Sequence, residues 1–308
     1  MLSAGWVPMT LPRPVVPGRC DMITRRCIRR TCLLRPDPAL VQFYLYSLAV
    51  FSNRYGIEVH SIVLMSTHEH LIVTDTQGSM PDFLRDFHRT VAHGVQILRK
   101  WEGTVWDNEH TSRVELCTPR AIIEKCAYAM ANPVEAGLVE KAEQWPGVMA
   151  LPEELGNKTW TIQRPDVFFD ADNSDWPQTA TLRLSMPKTH LPHDDVRRRV
   201  KVELNQLERE AQSYIHAKPL RVLGRIGVLE ESPYRRAKSW EPLRSLNPNF
   251  AVGRGQRSAF FRAVRVLRTF RTRYREALAQ WRNGIRDVPF PKHTWQMSWL
   301  HAVQVETA

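Results

Sequence analysis

The chain has 308 residues, 43% of them hydrophobic, and carries 43 Lys and Arg against 32 Asp and Glu, a formal charge of +11. That length allows one large domain or two smaller ones with an ample core, and no apolar run approaches the roughly 18 residues that a membrane helix needs. The cation surplus favours polyanionic partners; five cysteines, an odd number without a C-x-x-C pair, disfavour a zinc ribbon or disulfide framework, and with no secretory signal a cytoplasmic, nucleoid-associated setting is expected.

In chain order, the proline-punctuated opening to about Gly18 is expected to be an extended arm and Cys20 to Ile28 a strand. Asp37 to Arg54 places Leu40, Phe43, Tyr44, Ser47, Val50 and Phe51 at helical spacing, with Gly56 as the stop. The β-rich runs Ile57 to Met65 and His70 to Val73 are two neighbouring strands or one long strand broken near Ser66. A second helix is predicted from Ser79 to about Trp101, with Asp82 completing a capping-box-like start. Arg113 to Cys117 is a short strand. Thr118 then caps a third helix, with Pro119 at its first position and Asn132-Pro133 as its end. This order predicts an α+β fold, a ferredoxin-like split βαβ with an antiparallel sheet and helices on one face. Leu151 to His193 is expected to be a linker, followed by a basic, mainly helical extension.

Two motifs carry chemistry. In Thr67-His68-Glu69-His70, strand geometry puts His68 and His70 on one face, where two imidazoles can share a metal ion, and turns Glu69 to the other. Such pairs also arise by chance on strands. In Cys126-Ala127-Tyr128-Ala129-Met130-Ala131-Asn132-Pro133, Tyr128 and Asn132 share a helix face and can both turn towards one metal-bound phosphate. A lone helical tyrosine ordinarily packs in a core, its hydroxyl bonded to backbone.

Together, His68-Glu69-His70-Leu71 and Tyr128-Ala-Met-Ala-Asn132-Pro133-Val134-Glu-Ala-Gly137 resemble the HUH single-tyrosine transposases, in particular the REP-associated tyrosine transposases and their transposase-like relatives. The resemblance covers about residues 13 to 150, and Trp106 also falls where the family has a tryptophan. It implies a transposase/nuclease domain over 1–150 with a DNA-binding extension over 151–308. It also implies His68 and His70 as ligands of Mg²⁺ or Mn²⁺ with Asn132 as a third donor. Tyr128 would attack single-stranded or hairpin DNA to give a 5′-phosphotyrosine and a free 3′-hydroxyl. The chain departs from the pattern at Thr67, commonly Asn, and at Glu69, usually apolar or aromatic. Glu69 on the reverse face therefore needs a partner or water. A domesticated, non-catalytic nucleic-acid-binding protein of the same fold and a hydrolase using water are the alternatives, and both monomer and homodimer remain open.

Residues 254 to 286 hold ten arginines, with Glu276 as the one acid inside the span. Phe260, Val264, Leu267, Phe270, Tyr274, Leu278 and Trp281 form an apolar helical stripe, with Arg262, Arg265 and Arg273 largely opposite it. These arginines, with Arg268 and with Arg197 and Arg198 at the head of another predicted helix, are candidate DNA contacts. Arg235, Arg236 and Lys238 near Trp240 could pair phosphate contacts with base stacking. Truncation after about residue 155 is accordingly expected to weaken DNA binding and flatten its salt dependence.

Overall fold

Alternating β-branched and aliphatic residues build a sheet around β1 (Cys20–Arg26), which lies between β3 (His68–Asp75) and β4 (Ser112–Leu116). The computed structural model describes residues 12–108, 111–218, 221–237 and 248–307; Lys238 and Trp240 lie outside the described residues. β2 (Ile57–Leu64) pairs with the outer side of β3, and β7 (Phe250–Ala251) with that of β4. The order β2-β3-β1-β4 is antiparallel throughout, as the split βαβ reading requires, while β7 adds a short parallel edge.

The two β-rich runs are separate strands of a hairpin, closed by the Met65 N–H donating to the His68 carbonyl at 2.9 Å. β3 starts at His68 and so includes both histidines. α1 (Pro38–Arg54) begins as predicted, with the Asp37 carboxylate accepting the Leu40 N–H at 3.1 Å. α2 (Met80–Arg99) does not use the predicted box: Ser79 makes no side-chain cap. Instead Asp75, fully buried at the end of β3, accepts the N–H groups of Gln77, Gly78, Ser79 and Met80. A carboxylate aimed at the positive end of a helix makes stronger bonds than a hydroxyl can. α3 (Pro119–Glu135) runs past the expected end; Pro133 sits in its last turn, where losing one N–H is tolerable.

The predicted linker contains a hairpin, β5 (Thr159–Gln163) and β6 (Thr179–Arg183). Its buried residues Ile162, Ala180 and Leu182 belong to the same core as the sheet, and the Ser185 N–H donates to the Val59 carbonyl at 2.9 Å. α4 (His193–Ala217) packs on α3 and buries Val196, Val200 and Leu204 in that core, followed by α5 (Gly224–Glu230). The compact units therefore do not divide at residue 150: one spans Pro17–Gly255, and the other joins the N-terminal arm to residues from Gln256 onwards. In the latter, α6 (Arg257–Arg282) and α7 (Gln296–His301) share a small core built on Phe270, Tyr274, Leu278, Phe290, Met297 and Val303. Among the described residues no helix is long and apolar enough to cross a membrane.

This packing can be checked in two ways. A chain ending at residue 155 lacks β7 and the core side chains Val196, Val200 and Leu204 of α4, each worth about 1.5–3 kcal/mol. Its melting temperature should drop by about 10 °C or more, whereas a chain ending at Gly255 should keep a cooperative transition; similar melting of the two would contradict the packing account. The second check concerns His60, at the β2 bulge, whose Nδ1 donates to the Ser185 carbonyl at 2.9 Å and whose Nε2 lies 2.8 Å from the Thr74 hydroxyl. Burial pushes its pKa down, the Ser185 bond offsetting part of this. The unfolded chain takes up this proton near pH 6.5 and the folded chain resists it, so stability is intact above that pH and falls below it. Urea midpoints should decline less steeply from pH 8 to pH 5 in His60→Gln than in the parent protein, and parallel declines would rule His60 out as the cause.

Candidate functional site

Alternation along β3 sends His68 and His70 to the face covered by α3, and Glu69 to the face covered by α1 and α2, so helices flank both faces of the sheet and not the one face expected. The two imidazole centroids are 4.8 Å apart at an interplanar angle of 83°. Each ring is held from behind by a threonine: His70 Nδ1 lies 2.9 Å from the hydroxyl of Thr24, its ladder partner, and His68 Nδ1 lies 3.0 Å from that of Thr67. With Nδ1 donating to these hydroxyls, Nε2 of each ring carries the lone pair a metal needs. His70 Nε2 is buried and has no hydrogen-bond partner. Burial pushes the His70 pKa well below the usual histidine range; the charges of His68, Arg26 and Lys125 add to this, and the adjoining Asn132 carboxamide opposes it.

The tyrosine arrives on a helix moored at its start. Thr118 accepts the Ala121 N–H at 3.1 Å and donates to the Val252 carbonyl at 2.6 Å. The chain beyond Val252 passes so close that a Cβ on Gly253, at φ +78°, would stand 2.9 Å from the Ala121 nitrogen. Arg254 then bridges Glu124 on α3 and Glu203 on α4. Further along the helix, the half-buried Tyr128 ring lies 5.7 Å from His70, centroid to centroid. The Lys125 ammonium sits 4.9 Å from the Tyr128 ring centroid. Asn132 donates through Nδ2 to the Tyr128 carbonyl at 2.7 Å, so Oδ1 is the atom it can offer a metal.

His68, His70, Tyr128 and Asn132 are thus brought together on one face of the sheet. As a donor set, the imidazoles of His68 and His70 and the Asn132 amide oxygen suit a divalent ion with open positions. The mixed nitrogen and oxygen set suits Mn²⁺ better than Mg²⁺, which prefers oxygen alone. Among the described residues, no group of three or more His, Cys, Asp and Glu is arranged to hold a metal.

On the reverse face, Glu69 is fully buried and doubly bonded. The Tyr44 hydroxyl donates to one carboxylate oxygen at 2.6 Å, and His88 Nε2 lies 2.6 Å from the other. His88 is itself fixed by Trp106, whose indole N–H donates to the His88 carbonyl at 2.8 Å. The partner that Glu69 requires is therefore this Tyr-His pair, a tertiary feature no local pattern reveals.

The arginines expected to contact DNA fare unevenly. Arg197 is engaged by Asp194, Asn157 and the Leu155 carbonyl, Arg198 by Asp195, and Arg273 by Glu306. Arg262, Arg265 and Arg268 are exposed on the first half of α6, where Phe260 is 46% exposed. Sequence reasoning missed Lys125, Thr24 and Arg26. Lys125 was accessible from its spacing of three before Tyr128 on one helix face, whereas the other two depend on strand register.

No protein-family profile matches the chain, and no curated protein matches it. Among solved structures, a REP-associated tyrosine transposase bound to a REP hairpin is similar at 17% identity and a TM-score of 0.40, over 47% of this chain and 84% of the other. A candidate transposase from Deinococcus radiodurans R1 is similar at 19% identity and a TM-score of 0.28, over 34% of this chain and 85% of the other. Likenesses this distant assign neither a family nor an activity.

Removing the Glu69 carboxylate would leave Tyr44 and His88 buried without their partner. Glu69→Ala should therefore cost about 3 kcal/mol in urea unfolding, and a loss within about 0.5 kcal/mol, the range of an ordinary surface change, would mean the network is dispensable.

Proposed function

We propose that this chain cuts and rejoins single-stranded or hairpin DNA through Tyr128. The observation that supports it best is the meeting of Tyr128 and Asn132 on α3 with His70 on β3, which burial keeps neutral and whose Nε2 has no hydrogen bond. In this reading the Tyr128 hydroxyl oxygen attacks a backbone phosphorus. A tyrosine–phosphorus ester forms, the bond from phosphorus to the 3′-oxygen breaks, the phenolic proton is lost to solvent, and the leaving oxygen takes up a proton to become a 3′-hydroxyl. The phosphodiester energy is kept in the new ester, so the reverse attack by a 3′-hydroxyl rejoins strands without a nucleotide cofactor.

His68, His70 and Asn132 would hold a divalent ion, which supplies Lewis-acid stabilisation of charge at the phosphoryl oxygens. Burial keeps His70 neutral and ready to ligate near pH 7. Thr24 and Thr67 hold both rings in orientation. Lys125, over the Tyr128 ring, adds fixed positive charge where an anionic substrate would enter.

Labelled single-stranded DNA incubated with the protein and Mn²⁺ should yield a covalent adduct on a denaturing gel. The adduct should vanish in Tyr128→Phe and with EDTA, and fall at least about 100-fold in His70→Ala, on the scale of losing an electrostatic stabiliser. Cleavage without an adduct would instead indicate a hydrolase, and binding without cleavage a non-catalytic module; either result would sink the proposal.

A further inference from the structure

Beside the histidine pair the backbone takes a path that arginine rarely follows. β1 ends at Arg26, which stands opposite His68 in the ladder and so on the same face of the sheet. The chain then makes a tight turn, Ile28–Arg30, in which Arg29 (φ 51°, ψ 25°) and Arg30 (φ 53°) both lie in the left-handed region. Side chains with a Cβ are disfavoured there, and two in succession are a strain that the surroundings must impose. Glycine would adopt this path without that cost, yet both positions carry a cation.

The surroundings are visible. Cys27 N–H donates to the Thr67 carbonyl at 2.8 Å, tying the turn to the residue before His68. On one flank, Ile28 N–H donates to the Val105 carbonyl and Asp107 N–H to that of Arg26, at 2.8 and 2.9 Å. On the other, Ala237 N–H donates to the Arg30 carbonyl at 3.0 Å, and Thr31 bridges to Arg236. This places Arg236, which is exposed, beside an already basic turn; Arg29 is exposed as well. The segments gripping the turn explain how the strained path is held.

We infer that Arg29 and Arg30, with Arg26 and Arg236, form a binding track for the backbone of single-stranded DNA leading to the histidine face. The inference rests on the proposed function for the identity of the polyanion. Guanidinium groups suit it because their planar fork pairs two donors with a phosphate. A strand in this track approaches past Arg26 and His68, in line with the Tyr128 face. The track lies wholly within the larger unit and involves none of the α6 arginines.

The test uses the full-length protein, EDTA to prevent cleavage, and a fluorescein-labelled oligo(dT) of about 20 nucleotides, long enough to span a typical single-strand site, read by anisotropy over a salt series. The double variant Arg29→Gly/Arg30→Gly should melt no lower than the parent, because the turn is relaxed. It should bind about tenfold more weakly at low salt, and its slope of log affinity against log salt should be shallower by roughly 0.7 for each phosphate that is no longer neutralised. Arg29→Lys/Arg30→Lys, which keeps the charges, should retain most of the affinity. Parent-like affinity and slope in the glycine variant would overturn the inference, as would equal competition by polyglutamate and unlabelled oligo(dT). Adduct formation is scored separately: its absence from the parent would defeat the proposed chemistry while the metal-free binding comparison still judged the track.

Discussion

The carboxylate of Glu69 is wholly removed from water, and a charge in that position costs several kcal/mol unless it is met by donors. Tyr44 and His88 meet it, each at 2.6 Å, and hydrogen bonds to a charged group are worth about 1.5–3 kcal/mol apiece, enough to offset the burial. Because those donors come from α1 and α2, satisfying Glu69 ties both helices to a single residue of β3. A slip of one residue in the β3 register would turn Glu69 towards α3 and leave both donors empty. The same constraint fixes the opposite face: once Glu69 points one way, His68 and His70 must point the other. The imidazole pair is thus held in place by a buried acid on the opposite face of the strand.

A second constraint acts on the helix that brings the tyrosine. α3 lies over the histidine face, moored at its start by Thr118, Gly253 and the Arg254 bridge, and flanked by α4. Residues far along the chain therefore position Tyr128, which is why the larger unit extends to Gly255. Rigid support of this kind matters where a nucleophile must meet a phosphorus in a near-attack geometry. At the far end of the helix, the Asn132 side chain folds back onto the Tyr128 carbonyl, so the amide is held on the turn that carries the phenol.

Much of this was legible in the sequence, for identifiable reasons. A period of two put His68 and His70 on one face, the Thr118-Pro119 pair marked the start of the tyrosine helix, and the succession of strands and helices along the chain pointed to a split βαβ with an antiparallel sheet. Features made by tertiary contact were not legible. Asp75 caps α2 from the end of a neighbouring strand, displacing the local Ser79 signal. β5 and β6 are each five residues long, and a long polar, proline-containing loop separates them, so their alternation was hidden until Ala180 and Leu182 were seen buried. The apolar stripe of α6 was readable, but not that Phe260 at one end stays exposed while Phe270, Tyr274 and Leu278 are buried. Nothing in a sequence announces two arginines in the left-handed region.

The charge balance around the imidazoles ties these features together. His70 is neutral because it is buried, and the charged groups that weigh on it, His68, Arg26 and Lys125, are all cationic or become so on protonation. Donors of this type do not offset the charge of a divalent ion, as the several carboxylates of a calcium site do. A divalent ion held by two imidazoles and an amide, as proposed, would keep its double charge next to Arg26 and Lys125, and in a partly desolvated site that repulsion would be only weakly screened. The arrangement becomes electrostatically complete when an anion enters with or after the metal. On the proposed function a phosphodiester would supply that charge beside Tyr128, and metal and substrate would then favour each other's binding by thermodynamic linkage. On that reading, a centre that releases its product after each turnover would be served by such a deficit.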